Sequence, residues 1–153
     1  MKTVTCFRVR LLGALSLLGF CAPLFAASEV PNFVLLDQRG RAFELRRSDA
    51  RAVVLFFTAN GCPVARQYAS KLNAMRDDYA TRGVEIMMVN SSSGDDRASI
   101  LKEVRELKTA FLPVLKDDTQ GLARHLGINR TAEAVAISTK DWSVFYAAPS
   151  MIK

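Results

Sequence analysis

The chain is poor in the residues that build metal centres and disulfide frameworks: its 153 residues include three cysteines, one histidine and one tryptophan. So few cysteines exclude a multiply bridged scaffold, and a lone His125 gives no His/Cys set with metal-ligand spacing. No cofactor or metal site is expected. Charge of one sign is not concentrated either. Lys and Arg total 21 against 15 Asp and Glu, and the two are interspersed, so no basic block of the kind that selects nucleic acid or anionic membrane is present. No apolar run reaches the roughly 18 to 20 residues that a membrane span requires. Internal repeats and linkers are lacking as well, and the length suits one domain.

What is there begins with a leader-like segment. Residues 1–26 read as a secretory signal: Lys2, Arg8 and Arg10 form a positive start, Leu11 to Phe20 an apolar stretch, and cleavage is expected near Ala26 to Ser28. A lipoprotein signal is the alternative raised by Cys21, but Phe20 stands where that processing wants a small residue. The expected location is therefore periplasmic or secreted, with no membrane span after cleavage. Loss of the leader removes Cys6 and Cys21 with three basic residues, lowering the net charge from +6 to +3. Cys62 is then the only cysteine, and it cannot form a disulfide within its own chain.

From Val30 onward short apolar runs alternate with turn signals. Asn32 to Leu36 and Ala42 to Leu45 flank Asp37-Gln38-Arg39-Gly40 and predict an amino-terminal β-hairpin. Ala52 to Thr58 is β-branched and aromatic, as in a strand buried on both faces, and is expected to be the central strand. Gly61 breaks it, Pro63 suits a first helical turn, and Val64, Tyr68, Leu72, Met75 and Tyr79 follow at helical spacing. Cys62 thus opens a helix. Gly83 ends it, Val84 to Val89 reads as a second buried strand, and Asp95 and Asp96 are placed to cap a helix running to about Lys108. Phe111 to Leu115 reads as a short strand that Pro113 confines to an edge. A short helix over Gln120 to Leu126 stops at Gly127, and Ala134 to Ser138 with Trp142 to Tyr146 form a closing hairpin. The class is α/β.

Cys62 carries the chemical promise, because backbone N–H groups at a helix start stabilise a thiolate. Arg66, one turn on, is either a second positive group on that side or a solvated helix residue. His125 in its short helix reads as solvated or capping. Asp95-Asp96 and Asp117-Asp118 fit turns and caps, and Ser91 to Gly94 lacks the Gly, Lys and Thr pattern of a phosphate loop.

Val30-Pro31-Asn32-Phe33 with Gly40, VVLFFTANGCP, VEIMMVN, PVLKDDTQGLARHLGI and the hairpin AVAIS to WSVFY resemble, in their order, the redoxin family. This is the group of alkyl hydroperoxide reductase and thiol-specific antioxidant relatives, peroxiredoxins among them, within the thioredoxin superfamily. The resemblance implies a thioredoxin-like fold over residues 30–147, with a mixed sheet flanked by helices and Cys62 in the redox position.

It also marks departures. Thioredoxin relatives carry a second cysteine where this chain has Ala65, so dithiol exchange within the motif is impossible. Peroxiredoxins place a threonine three residues before the cysteine, where Ala59 stands, and Thr58 misses that place by one. In the loop expected to face the cysteine, Ala132 stands near the place of the superfamily's proline, and Arg130 is the candidate for the peroxiredoxin arginine. The family's last helix has no counterpart in residues 147–153. A partner, a second subunit in a homodimer or a longer parent chain is the expected explanation.

Two functions follow. One is an exported one-cysteine thiol oxidoreductase of peroxiredoxin type, with Cys62, Arg130 and Thr58 as its site, in which Cys62 is oxidised by peroxide and restored by an external thiol or an envelope redox partner protein. The other is a catalytically silent binding module of the cell envelope that keeps Cys62 as a small buried residue. Burial discriminates between them. A thiol open to the Arg130 loop favours chemistry, and one walled in by Phe57 and Tyr68 favours the silent module.

Overall fold

The computed structural model describes residues 29–109 and 112–149, so the leader reading of residues 1–26 lies outside the described residues. Strands β1 (Val34–Asp37) and β2 (Ala42–Glu44) form the expected hairpin, followed by a 3-10 turn over Leu45–Arg47. Next come β3 (Ala52–Thr58), α1 (Pro63–Ala80), β4 (Val84–Asn90) and α2 (Arg97–Glu106). The chain continues through β5 (Val114–Lys116), α3 (Gly121–His125), β6 (Glu133–Ser138) and β7 (Val144–Pro149). All seven strands join one mixed sheet in the order β2-β1-β5-β4-β3-β6-β7. The β3–β4 and β4–β5 pairs are parallel and the other pairs antiparallel.

Both faces of β3 and of the middle of β4 are covered, which is why Ala52 to Phe57 and Ile86 to Val89 are apolar without alternation. Val53, Leu55, Phe57, Met87 and Val89 point to one core, shared with Leu45, Leu122 and Ile137. Phe56, Ile86 and Met88 point to the other, where Ala65 and Leu72 of α1 and Ile100 and Val104 of α2 close over them. Helix α1 begins at Cys62 with Pro63 in its first turn, where the missing N–H costs nothing. Helix α2 begins at Asp96, whose carboxylate accepts from the Ser99 amide at 2.7 Å while the Ser99 hydroxyl accepts from the Asp96 amide at 3.1 Å. This reciprocal pairing satisfies two amides left unpartnered at the helix start.

Three expectations are corrected. The strand β3 is interior, but β4 occupies the middle of the sheet because the β1–β2 hairpin extends the β5 side. The strand after Pro113 is not at an edge: β5 lies between β4 and β1. Pro113 sits before the strand, so its missing N–H is outside the ladder, and its carbonyl accepts from the Met88 amide at 2.8 Å. Trp142 does not start the last strand. With φ of +59° it belongs to the turn, its carbonyl accepting from the Val30 amide and its ring lying beneath the Arg46 guanidinium.

The turn of the first hairpin is organised by the buried carboxylate of Asp37. It accepts from the amides of Arg39 (2.8 Å) and Arg41 (2.9 Å) and from the Arg41 side chain (2.7 Å). Gly40 has φ of +82°, a conformation that strains most side chains, and a Cβ there would stand 2.9 Å from an Arg97 guanidinium nitrogen, which would have to move, so glycine suits the turn. Buried Gln38 then ties the hairpin to β5, donating to the Leu112 carbonyl at 3.2 Å and accepting from the Val114 amide at 2.8 Å.

Burial pushes the Asp37 carboxyl up, but the Arg41 and Arg39 hydrogen bonds outweigh it and hold the group below the ordinary carboxylate value. Such a group contributes stability that is fully present above the unfolded value of about 3.9 and is lost as pH falls through the lower folded value. Asp37→Asn places an amide NH2 against these donors and is expected to cost on the order of 2 kcal/mol at neutral pH. Urea titrations at pH 7 and pH 3 check this, and the gap between wild type and variant is expected to narrow at pH 3.

Candidate functional site

The site forms where β3 gives way to α1. After Thr58 the chain must leave the sheet, turn and start a helix within four residues, and the amides of that turn need acceptors. The Cys62 amide donates to the Ala59 carbonyl at 3.2 Å. The other acceptors come from α2 and the residue before its cap. Asp95 accepts from the Asn60 amide (2.9 Å), the Ser99 hydroxyl accepts from the Asn60 side chain (3.0 Å), and both Glu103 oxygens accept from the Gly61 amide (3.0 and 2.8 Å). Asp95 also accepts from the side chain of Asn90, the fully buried last residue of β4. The aspartate pair Asp95-Asp96 is therefore divided in role, one member fastening the cysteine turn and the other capping α2.

Held this way, Cys62 is the N-cap of α1 and is half-buried. Its sulfur accepts from the Ala65 amide at 3.5 Å and lies 3.0 Å from the Thr131 hydroxyl. Burial pushes the thiol up. The hydrogen bonds from Thr131, Ala65 and Val64 more than offset that push, Glu103 opposes them with its negative charge, and the result is a thiol held below its ordinary value. Phe57 belongs to the opposite core, whereas Tyr68, its ring tilted against Phe56 at 5.6 Å between ring centres, borders the same core as Cys62.

The residues singled out in the sequence are placed unequally. Cys62 lies at the helix start. Thr58 ends β3 and lines a cleft beside Thr131, but the threonine at the sulfur is Thr131. Arg130 is in the facing loop, largely exposed, with its Nε donating to Glu133 at 3.0 Å and not to the sulfur. Arg66 pairs with Glu103 at 3.1 Å, so its charge goes to the carboxylate that fastens the turn. Thr131 was hidden in the sequence because only the fold brings position 131 against position 62. The one local signal was its neighbour Ala132, which is buried at φ of +63° and donates to the Phe57 carbonyl at 2.7 Å, pinning the loop to the end of β3.

The cleft has a volume of about 260 Å³ and is walled by the end of β3, Ser91 and Ser92 after β4, residues of α3 and the Asn129–Thr131 loop, with Cys62 outside the lining. A larger open trough of about 850 Å³ lies between the β1–β2 hairpin and the end of α1, and Cys62 does not line it.

This sheet order, with a thiol capping the helix after an interior strand, is the thioredoxin-like arrangement, and the lipoprotein thioredoxin of Streptococcus pneumoniae superposes with a TM-score of 0.70 over 80% of this chain and 92% of that one, at 18% identity. The model of the AhpC/TSA family matches residues 26–145, and the chain belongs to that family. Peroxiredoxin Q of rice (Oryza sativa subsp. japonica) is 29% identical over 109 residues, which are 71% of this chain and 48% of that protein. The thiol-disulfide oxidoreductase ResA of Halalkalibacterium halodurans is 33% identical over 67 residues, 44% of this chain and 38% of its own. The chain thus spans about half the length of the peroxiredoxin relative and less of ResA.

The balance at the sulfur predicts two opposite shifts. Thr131→Val removes a donor to the thiolate and is expected to raise the Cys62 pKa. Glu103→Gln removes the opposing charge and is expected to lower it. The pH dependence of iodoacetamide alkylation measures both, and equal profiles in the two variants would refute this account of the sulfur.

Proposed function

We propose that the protein is an exported one-cysteine thiol peroxidase of peroxiredoxin type. The observation that carries this reading is the half-buried Cys62 sulfur at the start of α1, held below its ordinary pKa with the Thr131 hydroxyl 3.0 Å away. A low-pKa, accessible thiol is what a peroxide-reactive cysteine requires. The thiolate attacks one oxygen of the peroxide, forming an S–O bond as the O–O bond breaks. The departing oxygen takes a proton and leaves as water or an alcohol, and Cys62 becomes a sulfenic acid. Thr131 donates to the thiolate before attack and remains close to the oxygen being transferred.

Position 65 is alanine and Cys62 is the one free cysteine among the described residues, so resolution falls to an external thiol. That thiol condenses with the sulfenic acid to give a mixed disulfide and water. A second thiol then releases Cys62 and leaves as the symmetrical disulfide. Export rests on the leader-like composition of residues 1–26. The silent-module reading requires a walled-in thiol, and the position of Phe57 in the opposite core speaks against it.

A brief hydrogen peroxide pulse followed by dimedone trapping and mass spectrometry tests the reading. The expected result is one sulfenic acid adduct on Cys62, absent in Cys62→Ser and formed about tenfold more slowly in Thr131→Val, the loss of one hydrogen bond to a charged group. A folded protein whose Cys62 alkylates readily but gives no adduct would overturn it.

A further inference from the structure

The cleft beside Thr131 is not used by the peroxide step, and its walls are chemically one-sided. Arg124 from α3 and Arg130 from the facing loop stand on it with Gln120, Asn129 and Ser92, and no Asp or Glu is among its lining residues. Arg130 is partly neutralised by Glu133 at 3.0 Å. Arg124 is exposed, and no carboxylate among the described residues lies within ion-pair distance of it. Thr131 also lines the cleft, and its hydroxyl, 3.0 Å from the Cys62 sulfur, links the cleft to the thiol, which is not itself a lining residue. A volume of about 260 Å³ suits a small molecule and is too little for a protein segment of any length.

We propose that this cleft is the subsite for the resolving thiol, and that the thiol is a small carboxylate-bearing one whose anion is held by Arg124 while its sulfur reaches Cys62 past Thr131. The inference rests on the reading of Cys62 as a reactive thiol that an external thiol must restore. Unpaired arginine offers a planar fork that matches a carboxylate, and the amide side chains of Gln120 and Asn129 add neutral donors around it. A neutral thiol of the same size would reach the amide side chains but forgo the charge of Arg124, and a cationic one would be repelled by it.

The test begins from Cys62 converted by 4,4′-dithiodipyridine into its mixed disulfide, so it does not depend on peroxide. An incoming thiolate attacks the Cys62 sulfur and expels 4-thiopyridone, which is read by absorbance, leaving Cys62 disulfide-bonded to the incoming thiol. Rates for 3-mercaptopropionate and 2-mercaptoethanol are compared per unit of thiolate. The anionic thiol is expected to be about fivefold faster, as for one partly exposed ion pair. That preference is expected to fall to near unity in Arg124→Ala and to persist in part in Arg124→Lys. It is expected to hold in Lys140→Ala, which removes an equal charge at the opposite end of the sheet.

A preference that is absent, or unchanged by Arg124→Ala, overturns the proposal. So does an Arg124 effect confined to oxidation, seen as a changed ratio between a carboxylate-bearing hydroperoxide and tert-butyl hydroperoxide with the thiol ratio unmoved, because the cleft would then serve the oxidant. If the thiol preference holds while the hydrogen peroxide pulse leaves Cys62 unoxidised, the peroxidase reading falls and the anionic-thiol subsite stands as part of a thiol-disulfide exchanger.

Discussion

The site depends on the way α2 and the residue before its cap hold the turn between β3 and α1. A strand that ends inside the sheet leaves amides in the following turn that no neighbouring strand can take, and here those of Asn60 and Gly61 donate to Asp95 and Glu103 while the Asn60 side chain donates to Ser99. If these acceptors moved, Asn60 and Gly61 would turn to water and α1 would have no fixed starting point. Because α2 is itself fixed by its capping box and by Ile100 and Val104 in the core it shares with α1, the position of the Cys62 sulfur traces back to the packing of α2 on β4. The carboxylates that hold the turn are thus anchored by a hydrophobic helix face, and a core substitution in α2 reaches the thiol without touching it.

That arrangement sets a conflict at the sulfur. Glu103 is needed for the Gly61 amide, yet its charge disfavours a thiolate nearby. Arg66 lies between the two demands: its ion pair with Glu103 draws off part of the negative charge while leaving the oxygens to accept from Gly61. The thiol then falls below its ordinary value through short-range hydrogen bonds from Thr131 and the first-turn amides. Hydrogen bonds of this kind are directional and survive salt, whereas a neighbouring cation would be screened. A thiol activated in this way depends more on loop geometry than on ionic strength.

The fold was largely legible in the sequence because its signals are local. The apolar run of β3, Gly61 before Cys62, Pro63 in the first turn and Gly83 at the helix end each state a backbone requirement within a few residues. What the sequence did not show involves distant partners. Pro113 looked like an edge marker because the pattern cannot tell whether proline sits in a ladder or one residue before it. Arg130 drew attention through family likeness, while Thr131 beside it, which reaches the sulfur, carries no spacing relation to Cys62. Glu103 was invisible for the same reason: on a helix it reads as a solvated acid, and only the closing of α2 over β4 turns it toward Gly61.

The Thr131 loop shows how such a long-range contact is made durable. Ala132 adopts a left-handed backbone that costs a non-glycine residue roughly 1 to 2 kcal/mol. Three features offset this: Ala132 is buried, its amide donates to the Phe57 carbonyl, and the next residue, Glu133, opens β6. Glycine would adopt the same angle without strain but would leave the loop free in other angles when that bond opens. Alanine restricts those alternatives, and its methyl packs into the core beside α1 and α2. The cost in stability is exchanged for a threonine hydroxyl kept at one distance from the sulfur, which a site that relies on hydrogen-bond geometry requires.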